Sequence, residues 1–324
     1  MKLIKNAQIS NGLRVLVRTD LDVPLDNGKI LEEFRLERGL DTLKYIIDRG
    51  GFPVICGHIG KPEGVFVEEL STRHLLPYYN NKLGEGNFEL LENLRFSPGE
   101  EKNEETFSKE LSEKADIYVN DSFATCHRSH ASIVGVTKFL KSYAGIELEN
   151  EIDALAKIRL SPESPVVSIV GGAKLESKKP VINELLKISD YVLVGGKIGL
   201  EWKETIPSNL KLPVDYAEEQ KDIGEKTQAE YAEIIATAKT IVWAGPMGLY
   251  EDDKFILGTK KIAEAIVNVT TKGAFSVIGG GDTVAAIQKL GLTQNVSFVS
   301  TGGGAMLDYL AKGTLPGIEV LDND

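Results

Sequence analysis

The stretch AFSVIGGGDTVAAIQKL, Ala274 to Leu290, passes from an apolar run through three glycines and an acid into a helical pattern. Some twenty residues later Val296 to Val299 leads into Ser300-Thr301-Gly302-Gly303-Gly304-Ala305, which repeats the layout. A strand feeding a helix through glycines is the βα unit of an α/β fold. It is also the layout of a phosphate site, because glycine lets the backbone approach an anion and a helix N-terminus offers unpaired N–H groups. One such turn is weak evidence. Two in succession, the first carrying Asp282 as a candidate Mg²⁺ ligand, favour a nucleotide site.

The same rhythm extends in both directions from that stretch. Strands are expected at Arg14 to Arg18, Phe52 to Cys56, Phe88 to Leu91 and Ile117 to Val119, then at Val166 to Val170, Tyr191 to Val194 and Thr240 to Trp243. Helical patterns separate them at Phe34 to Asp48, Glu104 to Lys114, Lys178 to Ile188 and Thr259 to Val269. Such alternation predicts parallel sheets. Glu147 to Arg159 reads as a charged connector helix, followed by Ser161-Pro162-Glu163-Ser164-Pro165. The chain of 324 residues exceeds what one core usually supports. It therefore divides into residues 1–150, a hinge helix at 151–160 and a second domain at 161–311.

Composition narrows the partners. Apolar residues at 42% and charged residues at 26% are ordinary for a globular chain, while 37 basic against 48 acidic residues give a net charge of −11. That balance disfavours nucleic acid and anionic membrane as partners. The two cysteines, Cys56 and Cys126, end apolar runs and read as buried, reduced thiols. No apolar stretch is long enough to span a bilayer, so a cytoplasmic protein is expected.

Chemistry-bearing residues fall just after the expected strands. Asp20 and Asp22 follow the first, His58 and Lys61 the second, Arg95 the third, and Asp121, His127 and Arg128 the fourth. In open α/β sheets ligands bind at the carboxyl ends of strands. Together with Arg35, these cations suit a phosphorylated small molecule. In the second half the corresponding places hold Gly171-Gly172-Ala173-Lys174, Gly195-Gly196 and Gly245-Pro246-Met247-Gly248. Lys174 and Lys178 share a helix face near a helix start, a position that makes sense if an anion is bound there. Neither G-x-x-x-x-G-K-[ST] nor G-x-G-x-x-G occurs, the histidines lack zinc-like spacing, and no serine sits in a nucleophile elbow. His127 and His130 read as structural residues or anion contacts.

These residues resemble the phosphoglycerate kinase family. The resemblance rests on VLVRTDLDVPLDNGKI (15–30), GHIGKPEG (57–64), LLENLRFSPGEEKN (90–103) and VNDSFATCHRSHAS (119–132). It continues in SIVGGAKLESK (168–178), VWAGPMGLYE (242–251), GAFSVIGGGDT (273–283) and STGGGAMLDYL (300–310). It implies two Rossmann-like three-layer α/β/α domains that close about a hinge, with a tail, 312–324, packed on the first. The implied reaction is phosphoryl transfer between 1,3-bisphosphoglycerate and Mg-ADP, giving 3-phosphoglycerate and Mg-ATP, by a monomer.

Asp20, Asp22, Arg35, His58, Lys61, Arg95 and Arg128 would then bind 3-phosphoglycerate. Gly171, Gly172, Lys174, Lys178, Gly195, Gly196, Gly248, Leu249, Glu251, Gly280, Gly281, Asp282 and Thr283 would bind nucleotide, with Asp282 holding Mg²⁺. Ser300, Thr301, Gly302 and Gly303 would form a phosphate loop, and Arg35, Lys174 and Lys178 would be catalytic. The chain is shorter than the family's usual length, with pieces missing after His58–Gly64 and after Gly195-Gly196. Asp22, Lys61 and Ala244 stand where the family usually has Asn, Arg and Asn. Asp22 is expected to pair with Lys61, leaving the substrate phosphate to Arg35, Arg95 and Arg128. A binding protein that has lost turnover is the alternative reading, and an NAD-dependent oxidoreductase a distant third.

Overall fold

Two parallel sheets organise the chain in the computed structural model, which describes residues 1–321. The first unit comprises Met1–Ile152 together with the segment from Thr314 on, and the second Asp153–Gly313. Strands of the first are β1 (Arg14–Arg18), β2 (Leu25–Asp26), β3 (Lys29–Ile30), β4 (Phe52–Cys56), β5 (Glu89–Leu90), β6 (Ile117–Asn120) and β7 (Lys141–Ala144). Its helices are α1 (Phe34–Ile47), α2 (Leu76–Leu83), α3 (Pro98–Glu101), α4 (Glu105–Ser112) and the start of α5 (Ile146–Leu160). The second unit contains β8 (Val166–Val170), β9 (Tyr191–Val194), β10 (Leu210–Lys211), β11 (Thr240–Ala244), β12 (Phe275–Gly279) and β13 (Phe298–Ser300). Its helices are α6 (Leu175–Ile188), α7 (Lys197–Glu201), α8 (Glu225–Ile235), α9 (Leu257–Thr270), α10 (Gly281–Lys289) and α11 (Gly303–Lys312).

The sheet orders are β5-β4-β1-β6-β7 and β10-β9-β8-β11-β12-β13, with every neighbouring pair in each of them parallel. Each starts in the middle, winds outward, then returns to the other side of its first strand. The reversal opens a crevice at the carboxyl end of β1 beside β6 in one unit and of β8 beside β11 in the other. All five residues of β8 and of β11 are buried, as covered faces on both sides of a parallel sheet require. That burial explains their largely apolar sequences, in which Ser168 and Thr240 are the polar exceptions. In α1, Leu36, Leu40, Leu43 and Ile46 bury one stripe against the sheet. In α9, Ile262, Ala263, Ile266 and Val269 do the same.

The strands expected at Arg14, Phe52, Val166 and Tyr191 have the bounds read from the sequence. The last strand is displaced to Phe298–Ser300. β7, reading Lys-Ser-Tyr-Ala, and the two-residue β10 were not anticipated. Both lie at a sheet edge, where one flank needs no apolar cover.

Within the first unit the C-terminal segment forms α12 (Pro316–Glu319) and buries Leu315, Ile318 and Leu321. Gly317 N–H donates to Cys126 O at 2.9 Å, and Asn120 Nδ2 donates to Gly317 O at 3.1 Å. The tail residues Asp322 to Asp324 lie outside the described residues. Asp121, just past β6, accepts from Glu147 N at 2.9 Å and so holds the first turn of α5 in this unit. Burial pushes its carboxyl up to about 7. Cys56 and Cys126 are buried free thiols. Among the described residues no helix is long and apolar enough to cross a membrane.

Candidate active site

In the first unit the crevice beside β1 gathers acids and cations from several strand ends. Arg35, in the first turn of α1, sets its Nε 3.5 Å from Asp20 Oδ2 and Nη1 3.7 Å from Asp22 Oδ2. Its Nη1 also donates to Asp22 O at 2.6 Å. Burial pushes the Asp20 carboxyl above its ordinary value, and the Arg35 guanidinium pulls it partly back. Arg95 is 3% exposed and donates to Gly60 O at 2.7 Å, with Glu101 3.2 Å from its Nε. Burial and the Arg128 charge both weaken its hold on a proton, which brings Arg128 into the same field.

His58 has a defined tautomer. Arg18 Nη2 lies 2.9 Å from His58 Nδ1, and a guanidinium can only donate. Nδ1 therefore accepts. Burial, then the charges of Arg18, Arg95, Arg128 and His130, hold the ring's pKa well below its ordinary 6.5, so the imidazole is neutral. Its single proton sits on Nε2, the atom 3.8 Å from Asp22. A neutral N–H donor is thus fixed among cations.

Sequence reading missed the groups that fix it. Arg18, the last residue of β1, is 1% exposed and reaches Ser132 Oγ at 3.1 Å through Nε. Ser132 donates through Oγ and N to Glu100 at 2.6 and 3.0 Å. Burial pushes Glu100 up, but hydrogen bonds from His130 and Ser132 and the Arg18 charge outweigh it and keep the carboxylate below its ordinary pKa. The available signal was a lone arginine ending an apolar strand.

The expected Asp22–Lys61 pair does not form. Asp22 Oδ1 accepts from Gly60 N at 2.8 Å, and its other oxygen faces Arg35 and His58. The turn at Gly60, with φ +64°, leads into an exposed Lys61 that makes no ion pair among the described residues. Asp22 is held by the Gly60 N–H and faces the Arg35 charge from α1, and not Lys61.

In the second unit, three helices begin at one cavity without a side-chain cap from their N-cap residue: α6 after Lys174, α10 after Gly280 and α11 after Gly302. Their first-turn N–H groups form an anion cradle, apart from Leu175 N, which donates to Glu201 at 3.2 Å. Backbone crowding demands the glycines. A Cβ on Gly303 would lie 2.3 Å from Gly280 Cα, and one on Gly171 2.0 Å from Pro246 O. A Cβ on Gly304 would meet nothing within 4 Å, so its open face belongs to the cavity. Thr283 Oγ1 accepts from Gly245 N at 2.6 Å and ties the β11 and β12 loops together. Lys174 and Lys178 line this cavity with Asp282. Burial lowers the Lys178 ammonium's pKa, opposed by the charges of Asp282 and Asp308.

A second cavity of about 260 Å³ shares Gly172 and Asp282 with the first. Gly196, Gly248, Leu249 and Glu251 line it, as do Gln220, Lys221 and Tyr250, which the sequence did not single out. Gly195 packs on Met247 behind the wall, and Ser300, Thr301 and Gly302 are buried beneath the cradle and line neither cavity. The cavity at the three helix N-termini is thus continuous with the second one through Gly172 and Asp282.

Comparison with known proteins gives one family along nearly the whole chain. The family described as phosphoglycerate kinase matches in three stretches, residues 4–85, 78–206 and 203–313. The phosphoglycerate kinase of Thermosipho africanus is 36% identical over 384 aligned positions, covering 96% of each chain, and that of Clostridium tetani 38% over 386, again 96% of each. Those alignments are longer than this chain, so the relatives carry segments it lacks. Among solved structures, phosphoglycerate kinase from Coxiella burnetii superposes with TM-score 0.83 at 33% identity, covering 98% of both chains. The Pyrococcus horikoshii enzyme gives 0.85 at 30%, covering 99% of this chain and 98% of its own. The chain belongs to the phosphoglycerate kinase family.

Proposed function

We propose that the protein transfers a phosphoryl group reversibly between 1,3-bisphosphoglycerate and ADP, with 3-phosphoglycerate and ATP as products. The observation that carries this reading is the meeting of three helix N-termini at one cavity beside Lys178 and Asp282. In the first unit Arg35, Arg95, Arg128 and the His58 Nε2–H would hold the phosphoglycerate. Asp20 and Asp22 would orient Arg35, and Lys61 would be free to reach the substrate. In the second, the Gly171-Gly172 and Gly280-Gly281 turns, Lys174 and Thr283 would hold the nucleotide phosphates, with Gly196, Gly248 and Leu249 at the nucleoside and Glu251 at the ribose. Gly195 and the Ser300–Gly302 loop would support that cradle from behind, and Gly303 would face the phosphates. The acceptor carboxylate of 3-phosphoglycerate is ionised at neutral pH, so no general base is required. The chain's task is alignment and neutralisation of spreading charge, assigned to Arg35, Lys174, Lys178 and the helix N-termini.

Mg²⁺ fits the residues present. Among the described residues no group of three or more His, Cys, Asp or Glu could hold a metal. Asp282, exposed at the start of α10, is the one carboxylate among the described residues that lines both cavities. One carboxylate with nucleotide phosphates and water is how Mg²⁺ is usually held. The ion would neutralise phosphate charge there. Two buried reduced thiols support a cytoplasmic setting, and one copy carrying both ligand sets supports a monomer.

A coupled assay for ATP formation from 1,3-bisphosphoglycerate tests the reading, and absence of turnover in the intact protein overturns it. Lys178→Ala is expected to lower kcat by about 10²–10³ with a far smaller change in KM, as loss of one transition-state donor does. Near-normal kcat would remove Lys178 from the mechanism.

Asp282→Asn is expected to weaken Mg-ATP binding about tenfold or more, the worth of one charged contact, and to spare 3-phosphoglycerate. Calorimetry with each ligand separately checks this; equal weakening of both contradicts the assignment of one ligand to each unit.

The two bound ligands must meet for transfer, so both together are expected to compact the protein by flexing α5. Small-angle scattering reads the radius of gyration, and a radius unchanged in the ternary complex contradicts closure.

His58 supplies a pH prediction. Its folded pKa is depressed, so below its ordinary 6.5 the unfolded chain takes up a proton that the folded state refuses. Stability is lost as pH falls. His58→Gln is expected to flatten the dependence of unfolding free energy between about pH 7 and 5, by up to about 1.4 kcal/mol per pH unit. Equal slopes in denaturant titrations would mean that the ring titrates normally in the folded protein.

A further inference from the structure

Asp222 lies outside every motif that points to nucleotide, yet its environment ties it to the nucleotide cavity. The residue is 2% exposed, and among the described residues its carboxylate is held by two backbone N–H groups. Oδ1 accepts from Ile223 N at 2.8 Å and Oδ2 from Gly258 N at 2.7 Å, in the first turn of α9. Burial pushes the carboxyl up to about 6 against these two hydrogen bonds. A neutral side chain could cap α9 without burying a charge.

What the acid does becomes clear from its neighbours. It fills a slot between two glycines: a Cβ on Gly248 would come within 2.4 Å of Oδ1, and one on Gly258 within 2.2 Å. Gly248 and Leu249 form one wall of the cavity of about 260 Å³, and Gln220 and Lys221 another. Leu249 N–H donates to Lys221 O at 2.8 Å, and Ala217 N–H to Asp222 O at 3.0 Å. The Gln220 wall belongs to a loop that carries two non-glycine residues at positive φ, Glu219 at 59° and Gln220 at 56°. Such a loop keeps its shape only when its surroundings enforce it.

We propose that Asp222 is the positioning residue of the nucleotide cavity, fixing the Gln220–Lys221 wall against the Gly248–Leu249 wall and so setting the width of the nucleoside slot. This rests on the nucleotide reading of the second unit given above. Loss of the carboxylate widens the slot and weakens nucleotide binding without touching the phosphoglycerate.

Steady-state kinetics on the intact protein with ATP and 3-phosphoglycerate test it, alongside calorimetry with ADP and thermal unfolding. Asp222→Ala is expected to raise the KM for ATP about tenfold, the worth of one charged hydrogen bond. The KM for 3-phosphoglycerate should stay within about twofold. Asp222→Asn, which keeps the shape and one acceptor oxygen, should recover part of the loss. An unchanged nucleotide KM, or a parallel rise of both KM values, overturns the proposal. Should Asp222→Ala not fold, Gly258→Ala displaces the carboxylate from the other side and must give the same selective rise. If neither folds, Asp222 serves the fold and the proposal is rejected. A parent protein that binds ADP without turnover defeats the kinase reading alone, and the ADP Kd then replaces KM in the comparison. A parent that does not bind ADP defeats both.

Discussion

Backbone N–H groups can hold a phosphate only where no side chain stands between them and the ligand. In the second unit that constraint governs the loops at the carboxyl ends of β8, β11, β12 and β13. Gly280 and Gly303 bring the starts of α10 and α11 so close that one added Cβ would stand 2.3 Å from backbone. Gly171 meets the carbonyls of Gly245 and Pro246 just as closely. The central strands must therefore end in register, and the buried apolar cores of β8 and β11 fix that register. Substituting Gly171, Gly245 or Gly303 would push two loops apart, whereas Gly280 has room for a Cβ and is required by its φ of +102°. The cradle is a property of the sheet's winding order as much as of its loops.

The first unit gathers side-chain charge where the second presents backbone. Arg18, His58 and Arg95 are each no more than 5% exposed, and burial together with neighbouring cations disfavours protonation of His58 and Arg95. Packing like charges in a region of low dielectric opposes folding of the ligand-free protein. The acids relieve that cost unevenly. Glu100 stays ionised through Ser132 and His130, close to Arg18, whereas Asp20 and Asp22 face Arg35 across 3.5 and 3.7 Å. Those last two separations are long for a hydrogen bond. A trianionic ligand would supply the missing charge, so the site is poised toward occupancy at the expense of empty-state stability.

How much of this was legible depended on whether a residue's role is local. β1, β4, β8 and β9 were read with their observed bounds because central parallel strands must be apolar on both faces. β7 and β10, at the edges, carry no such demand and were missed. The placement of Asp20, His58, Arg95 and Arg128 after strands could be read because position along the chain fixes position at the crevice. Direction could not be read. The proposed partner of Asp22 was Lys61, but the backbone turn at Gly60 gives that carboxylate an N–H and leaves Arg35 and His58 to face it. Arg18, Glu100 and Asp222 escaped notice for a related reason. Each acts through contacts 30 or more residues away along the chain.

The shortened chain sharpens that last point. The relatives' alignments are longer than this chain, and here the cavity wall is built from the five-residue α7 and the loop holding Gln220 and Lys221. Neither is long enough to support itself by packing a core of its own. Support comes from staples: Asp222 to α9, Leu249 to Lys221, and Lys289, whose ammonium reaches the carbonyls of Tyr250 and Glu251 at 3.2 and 3.4 Å and Asp253 at 2.8 Å. Lys289 lies on α10, the helix whose first turn presents Asp282. The Tyr250–Glu251 loop and the proposed metal ligand are thus joined by one rigid element. A few polar contacts to backbone can hold a slot to shape with less chain than a packed layer, but each contact then matters individually.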